Sequence, residues 1–159
     1  SDEVVRRMAN LKPAAKDFRI FWDNAYAVHH LYKEKCKILN ILHECEEADN
    51  PSLVFEFAST SKITFAGGGI AAIACNNANR QELKKTLTVQ TIGFDKINML
   101  RHARYFMDVE SVDEHMKKHA KILRPKFEMV IKTMERDLGD AGCGTWTSPK
   151  GGYFILYDL

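Results

Sequence analysis

The sequence predicts an α/β fold, in which a layered sheet with some parallel strands is followed by a long helix and the start of a second lobe. Three observations predict it. Short apolar runs alternate with helix-patterned segments as far as residue 87. A stripe of apolar residues at steps of three and four then runs from Val112 to Leu138. Finally, "GCGTWTSPKGGYFILYDL" holds two strand-like runs around a Ser-Pro-Lys-Gly-Gly turn.

In chain order, "SDEVVRRMANLKPAAK" spaces Val4, Val5, Met8 and Leu11 on one helical face. Asp2 and Glu3 suit the positive end of its dipole, and Ser1 is a candidate cap. "FRIFW" (18–22), "LVFEF" (53–57) and "IAAIAC" (70–75) read as strands, and "NANRQELKKTL" (77–87) as the helix after the third. The stripe of Val112, Met116, His119, Leu123, Phe127 and Val130, continuing to Leu138, makes one amphipathic helix. At 1.5 Å per residue it reaches roughly 42 Å, a length suited to connecting two lobes. Pro125 is expected to kink it.

Composition narrows the functional classes. With 159 residues, 45% hydrophobic and 28% charged, the chain can bury a real core, which excludes disorder. The net charge of +2 comes from bases dispersed among acids, as in "DEHMKKHAKILRPKFE", so no nucleic-acid-binding stripe is expected. No apolar run approaches the roughly 20 residues of a membrane helix, and a soluble protein is expected. Cys36, Cys45, Cys75 and Cys143 form no C-x-x-C pair and follow no secretory signal. They are expected as free thiols in a cytoplasmic protein.

The chemistry centres on Lys62. It stands in "STSKITFAGGGI", among hydroxylated and glycine residues, just past an apolar strand. Asp23 follows the first strand directly, and Tyr26 comes three residues later. Open α/β sheets bind ligands at the carboxyl ends of their strands. An acid, a phenol and a lysine placed there match the needs of pyridoxal phosphate. The lysine forms a Schiff base, the acid keeps the pyridine nitrogen protonated, and the phenol hydrogen-bonds the 3-oxygen. Taken singly, Lys62 reads as a solvated lysine, Asp23 as a turn or cap residue, Tyr26 as a core aromatic, and Ser59 and Ser61 as turn formers. Their combination favours the cofactor.

"FWDNAYAVHHL" and "FASTSKITFAGGGIAAIA" resemble the fold-type-I pyridoxal-phosphate aminotransferases, in particular the bacterial aspartate aminotransferases related to the aminotransferase-like regulators. The likeness continues through "KINMLRHARYF" and "WTSPKGGYF". It implies Lys62 as Schiff-base lysine and proton carrier, Asp23 at the pyridine nitrogen, Tyr26 at the phenolate oxygen, and Ser59 with Ser61 at the phosphate. It also implies ping-pong transfer of an amino group, with aspartate as donor and a 2-oxo acid such as 2-oxoglutarate as acceptor. Each active site is expected across a homodimer interface, with Lys96 and Asn98 near the neighbouring subunit's cofactor. Residues 1–108 then form part of the large-domain sheet, and 109–159 the connecting helix and the beginning of an α+β small domain. On this resemblance the chain is a portion of a longer enzyme.

The sequence departs from the family at Gly69 and Ile70, where members commonly carry an arginine on the phosphate. A second reading from a different class is a ligand-sensing module of a transcriptional regulator, which binds cofactor without turnover. A third is a degenerate copy that binds none. The run Gly67-Gly68-Gly69 meets neither nucleotide-loop pattern and is expected to serve close packing or approach to the ligand. His115 and His119 stand at i and i+4 but lack the third ligand of a metal site, and read as a partly solvated helix face. His29 and His30 receive no role.

Overall fold

A computed structural model describes residues 1–159, which divide by packing into two units: Ser1–Ala25 with Ile38–Tyr105, and Tyr26–Lys37 with Phe106–Leu159. The first unit begins with α1 (Asp2–Ala9). The Ser1 hydroxyl makes no capping bond; its carbonyl accepts the Val5 N–H instead. Val5 and Ala9 turn fully inward, whereas Val4 and Leu11 are exposed. The buried face is narrower than the expected stripe: Val4 turns outward within the helix, and Leu11 lies beyond its end at Ala9. Asn50 closes that end by donating its side-chain N–H to the Ala9 and Leu11 carbonyls at 3.3 and 3.0 Å.

The sheet of this unit is β1 (Ile20–Asp23), β2 (Val54–Ser59) and β3 (Ala71–Ala74), in that spatial order. β1 and β2 run parallel, with Ile20 opposite Val54 and Asp23 opposite Phe57. β3 returns antiparallel, with Ser59 opposite Ala71. The mixed α/β architecture expected from the sequence is present, and only one of the two strand pairings is parallel. A helix the sequence reading did not assign, α2 (Ile41–Glu47), precedes β2, and the Asn40 side chain caps it by accepting the Leu42 and His43 N–H groups. The core joins Val5, Ala9, Ile41, Cys45, Leu53 and Val54, with Ile20 and Trp22 against it. Complete burial of Val5, Ile41 and Val54 stabilises the unit by about 1.5–3 kcal/mol per side chain.

Two helices complete the unit. The first, α3 (Asn77–Gln90), is capped by Asn76 and outruns its expected end at 87. The Asn76 and Asn79 side chains reach the Ser52 hydroxyl and carbonyl at 2.8 and 2.9 Å, tying α3 to the turn before β2. The second, α4 (Lys96–Tyr105), was also not assigned from the sequence. Asp95 caps it, accepting the Asn98 N–H at 2.9 Å.

The second unit holds α5 (Val109–Leu138), 30 residues with Pro125 inside, about 45 Å long at 1.5 Å per residue. Asp108 and Ser111 form a capping box at its start. A short antiparallel pair follows, β4 (Thr145–Trp146) and β5 (Tyr157–Asp158). Between them the backbone bridges to residues 29–31: Leu31 N–H donates to the Lys150 carbonyl at 2.9 Å, and Gly152 N–H to the His29 carbonyl at 2.9 Å. "YFIL" is thus not a strand: Tyr153 is a bend and residues 154–156 carry no regular structure before β5. On α5, the rings of His115 and His119 lie 4.8 Å apart, and burial beside His115 holds the His119 pKa below its ordinary value. No helix is long and apolar enough to cross a membrane.

Candidate functional site

Parallel pairing brings the carboxyl ends of β1 and β2 to one edge of the sheet. Asp23 is the last residue of β1 and Ser59 the last of β2. Because Asp23 pairs with Phe57, and side chains alternate, Asp23, Phe57 and Ser59 share one face. Below them on that face the Phe21 ring packs against Phe55 and Phe57 at centroid distances of 5.9 and 5.2 Å. The strand end is fixed by Asn24, whose backbone N–H donates to the Phe57 carbonyl at 2.8 Å and whose side chain donates to Glu56 at 2.7 Å. A carboxylate and a hydroxyl therefore emerge side by side from adjoining strands.

Lys62 lies in the loop that joins β2 to β3. Thr60 and Ile70 close the loop: Thr60 N–H donates to the Ile70 carbonyl, and Ile70 N–H to the Thr60 hydroxyl, each at 2.9 Å. Within it, residues 60–64 make one helical turn, since the Ile63 and Thr64 N–H groups both donate to the Thr60 carbonyl, at 3.0 and 2.9 Å. Ser61 and Lys62 project from that turn and are exposed. The glycines that follow serve distinct purposes. Gly67 has φ +80°, in the left-handed region that suits glycine. Gly69 packs against Ser61 so closely that a Cβ would sit 3.0 Å from the Ser61 amide nitrogen. Any side chain at 69, an arginine included, would have to displace the turn that carries Lys62. Phe65 packs under Arg101, whose guanidinium lies 5.5 Å from the ring centroid.

Of the residues singled out from the sequence, Asp23, Ser59, Ser61 and Lys62 belong to the first unit, at the same sheet edge and its loop. Tyr26 belongs to the second. There its ring meets His29, Tyr153 and Phe154 edge-on, at centroid distances of 5.4, 5.3 and 5.6 Å. Two residues the sequence reading passed over bear on the loop. Thr60 was only the residue between Ser59 and Ser61, and His102 one residue of "KINMLRHARYF"; in the fold they meet, Thr60 Oγ1 to His102 Nε2, at 2.8 Å. No local pattern marks a contact across 42 residues.

The arrangement offers an amine on an anchored loop, a carboxylate and a hydroxyl. The family model described as aspartate amino-transferase matches residues 1–159. An aspartate aminotransferase of Corynebacterium glutamicum is 42% identical over 100% of the chain, which covers 37% of that protein. The crystal structure of an aspartate transaminase from Corynebacterium glutamicum superposes with a TM-score of 0.93 at 42% identity, over 100% of this chain and 38% of that one. An α-aminoadipate aminotransferase from Thermus thermophilus, solved with N-(5'-phosphopyridoxyl)-L-leucine, shares the fold at TM-score 0.69 and 19% identity, over 99% of this chain and 37% of its own. The chain thus spans somewhat over a third of the length of these relatives.

Proposed function

Because the chain belongs to the aspartate aminotransferase family, we propose that the protein of which it is part is a pyridoxal 5'-phosphate-dependent aminotransferase. It moves the amino group of aspartate, or a similar dicarboxylic amino acid, to a 2-oxo acid such as 2-oxoglutarate. The observation that carries this reading is the likeness to an aspartate transaminase over the whole chain; the position of Lys62 in a loop closed by Thr60 and Ile70 supports it. The aspartate aminotransferases at 42% identity favour an enzyme over a regulator's sensing module.

The donor set fits the cofactor: an amine for its carbonyl, a carboxylate for its ring nitrogen and a hydroxyl for its phosphate, the last two on one face of adjoining strand ends. When bound, the cofactor supplies an electron sink for charge developing at the substrate α-carbon. Lys62 would hold the cofactor at its carbonyl through Nζ and, as the free amine, would carry a proton to and from the substrate α-carbon. Asp23 holds a proton at the ring nitrogen, since a carboxylate beside a cation favours the charged form. Ser59 would donate its hydroxyl to the phosphate, with Ser61 beside it, and the resemblance assigns Tyr26 the role of donor to the ring oxygen. With Gly69 packed against Ser61, backbone N–H groups and residues outside this chain supply the rest of the phosphate's contacts.

On this reading residues 1–108 are a portion of the large domain, and 109–159 the connecting helix and first part of the small domain. The whole protein is a homodimer. Ile92, Phe94 and Ile97 stand 66–108% exposed, an apolar segment that association with a second copy would cover. The test is a coupled assay of the intact polypeptide with aspartate and 2-oxoglutarate. Cofactor-dependent oxaloacetate formation is the expected result; a protein that binds the cofactor but turns over no amino acid would instead be a sensing module.

A further inference from the structure

We propose that His102 is a positioning residue for Lys62, acting through the turn formed by residues 60–64. The inference rests on the assignment of Lys62 made above. His102 lies on α4, 42 residues from Thr60 in sequence, and its side chain is buried, at 5% exposure. Both ring nitrogens are engaged. Nδ1 lies 2.8 Å from the Asn98 carbonyl oxygen. That oxygen can only accept, so Nδ1 carries the hydrogen. In the neutral ring Nε2 then presents a lone pair, and it lies 2.8 Å from the Thr60 hydroxyl and 3.2 Å from that of Thr64.

The donors fall into one consistent order. Ile70 N–H donates to the Thr60 hydroxyl oxygen at 2.9 Å, and the Thr60 hydroxyl hydrogen is directed to His102 Nε2 at 2.8 Å. The Thr64 hydroxyl donates to the Thr60 carbonyl at 3.0 Å. The imidazole thus faces both ends of the turn at whose middle Lys62 stands, and joins it to α4 and to the start of β3. Exposed lysines are ordinarily mobile on long stems, whereas this backbone is clamped by a buried network that loses its acceptor if the ring is removed. A leucine would fill the volume and leave the Thr60 hydroxyl only the Ile70 carbonyl, at 3.5 Å, as an acceptor. A glutamine could carry an acceptor oxygen to the position of Nε2.

The test uses the intact, cofactor-loaded enzyme with H102L, H102Q, T60V and the H102L/T60V double variant. Four readings are taken: the pH midpoint of cofactor absorbance, kcat and KM, hydrogen exchange at the Ile63 and Thr64 amides, and thermal stability. H102L is expected to move the absorbance midpoint by about half a pH unit, as loss of a fixed geometry around a titrating amine should. It should lower kcat by about tenfold with KM little changed, and speed exchange of the two amides. H102Q should recover most of both, and the double variant should fall short of the sum of H102L and T60V, because the Thr60–His102 bond is lost in each single variant while T60V alone also frees the Ile70 N–H. If H102L does not fold, T60V carries the same expectations. A variant that loses thermal stability but keeps the wild-type midpoint and kcat would overturn the proposal, as would additive effects in the double variant. Borohydride reduction of the wild type separates the two readings. An adduct on another lysine defeats the Lys62 assignment itself, whereas an adduct on Lys62 with an unmoved midpoint in H102L defeats the positioning role alone.

Discussion

Replacing Gly69 by alanine tests whether the loop geometry around Lys62 matters to turnover. The added Cβ would sit 3.0 Å from the Ser61 amide nitrogen, 3.0 Å from its Oγ and 3.2 Å from its Cα. Relaxed carbon contacts lie at about 3.5–4.0 Å, so the turn must retreat by roughly 0.3–0.5 Å. It cannot retreat freely, since Thr60 is pinned to Ile70 by two bonds of 2.9 Å. Such overpacking costs about 1–3 kcal/mol. If a misplacement of 1 Å slows a reaction about a hundredfold, the retreat should lower kcat by about four- to tenfold. Gly67→Ala is the control: its φ of +80° makes alanine strained, yet nothing lies within 4 Å of the new carbon. It should cost about 1–2 kcal/mol through backbone strain alone. Urea denaturation and steady-state transamination of the two variants, made in the intact enzyme, should show comparable losses of stability and a loss of turnover only in Gly69→Ala. Wild-type kcat in Gly69→Ala, or an equal fall in Gly67→Ala, would refute the reasoning.

Asp23→Asn should leave the cofactor bound but slow the proton-transfer step by roughly 10²- to 10³-fold, the scale of losing one preorganised electrostatic partner. Tyr26→Phe, which removes one neutral hydrogen bond worth about 0.5–1.5 kcal/mol, should cost far less; equal effects from the two in single-turnover kinetics would contradict the roles given to them. Ser59→Ala should weaken cofactor affinity by about 1.5–3 kcal/mol if a hydrogen bond to the phosphate is lost, and an unchanged dissociation constant would remove Ser59 from the site. Burial pushes the Cys45 thiol pKa up, so the folded state favours the protonated form. Its contribution to stability should be complete below the unfolded value, about 8.5, and be lost as pH rises through the folded one. Melting curves should therefore show Cys45→Ala losing less stability than the wild type between about pH 8 and pH 10, while alkylation of the folded protein reaches the exposed Cys36 and Cys143 before Cys45.

What the sequence made legible was local. The three strands and α5 are marked by runs of apolar residues whose periods are read over a few turns, and Asp23 and Lys62 stand where those runs end. Strand direction was not legible, because "IAAIAC" has the same alternation whether it runs with β2 or against it; a nine-residue loop from 61 to 69, closed by Thr60 and Ile70, makes it antiparallel. The helix α2 is only seven residues long, too short for a periodic stripe, though Asn40 ahead of "ILHE" was a cap signal. Asp95 ahead of "KINM" was another, and it starts α4. His102 was invisible as a site residue because its meaning comes from Thr60 and Thr64, which lie far away in the chain and are brought to it only by packing.

The central claim is that Lys62 holds the cofactor, and borohydride reduction of the intact holoenzyme followed by peptide mass mapping tests it most directly. Reduction fixes the cofactor to whichever amine it is bound to. The account predicts one phosphopyridoxyl group per chain, on the peptide containing Lys62, and none after reduction of Lys62→Ala, whose fold should persist because the side chain is exposed. An adduct mapped to a different lysine, or one that survives in Lys62→Ala, would contradict it.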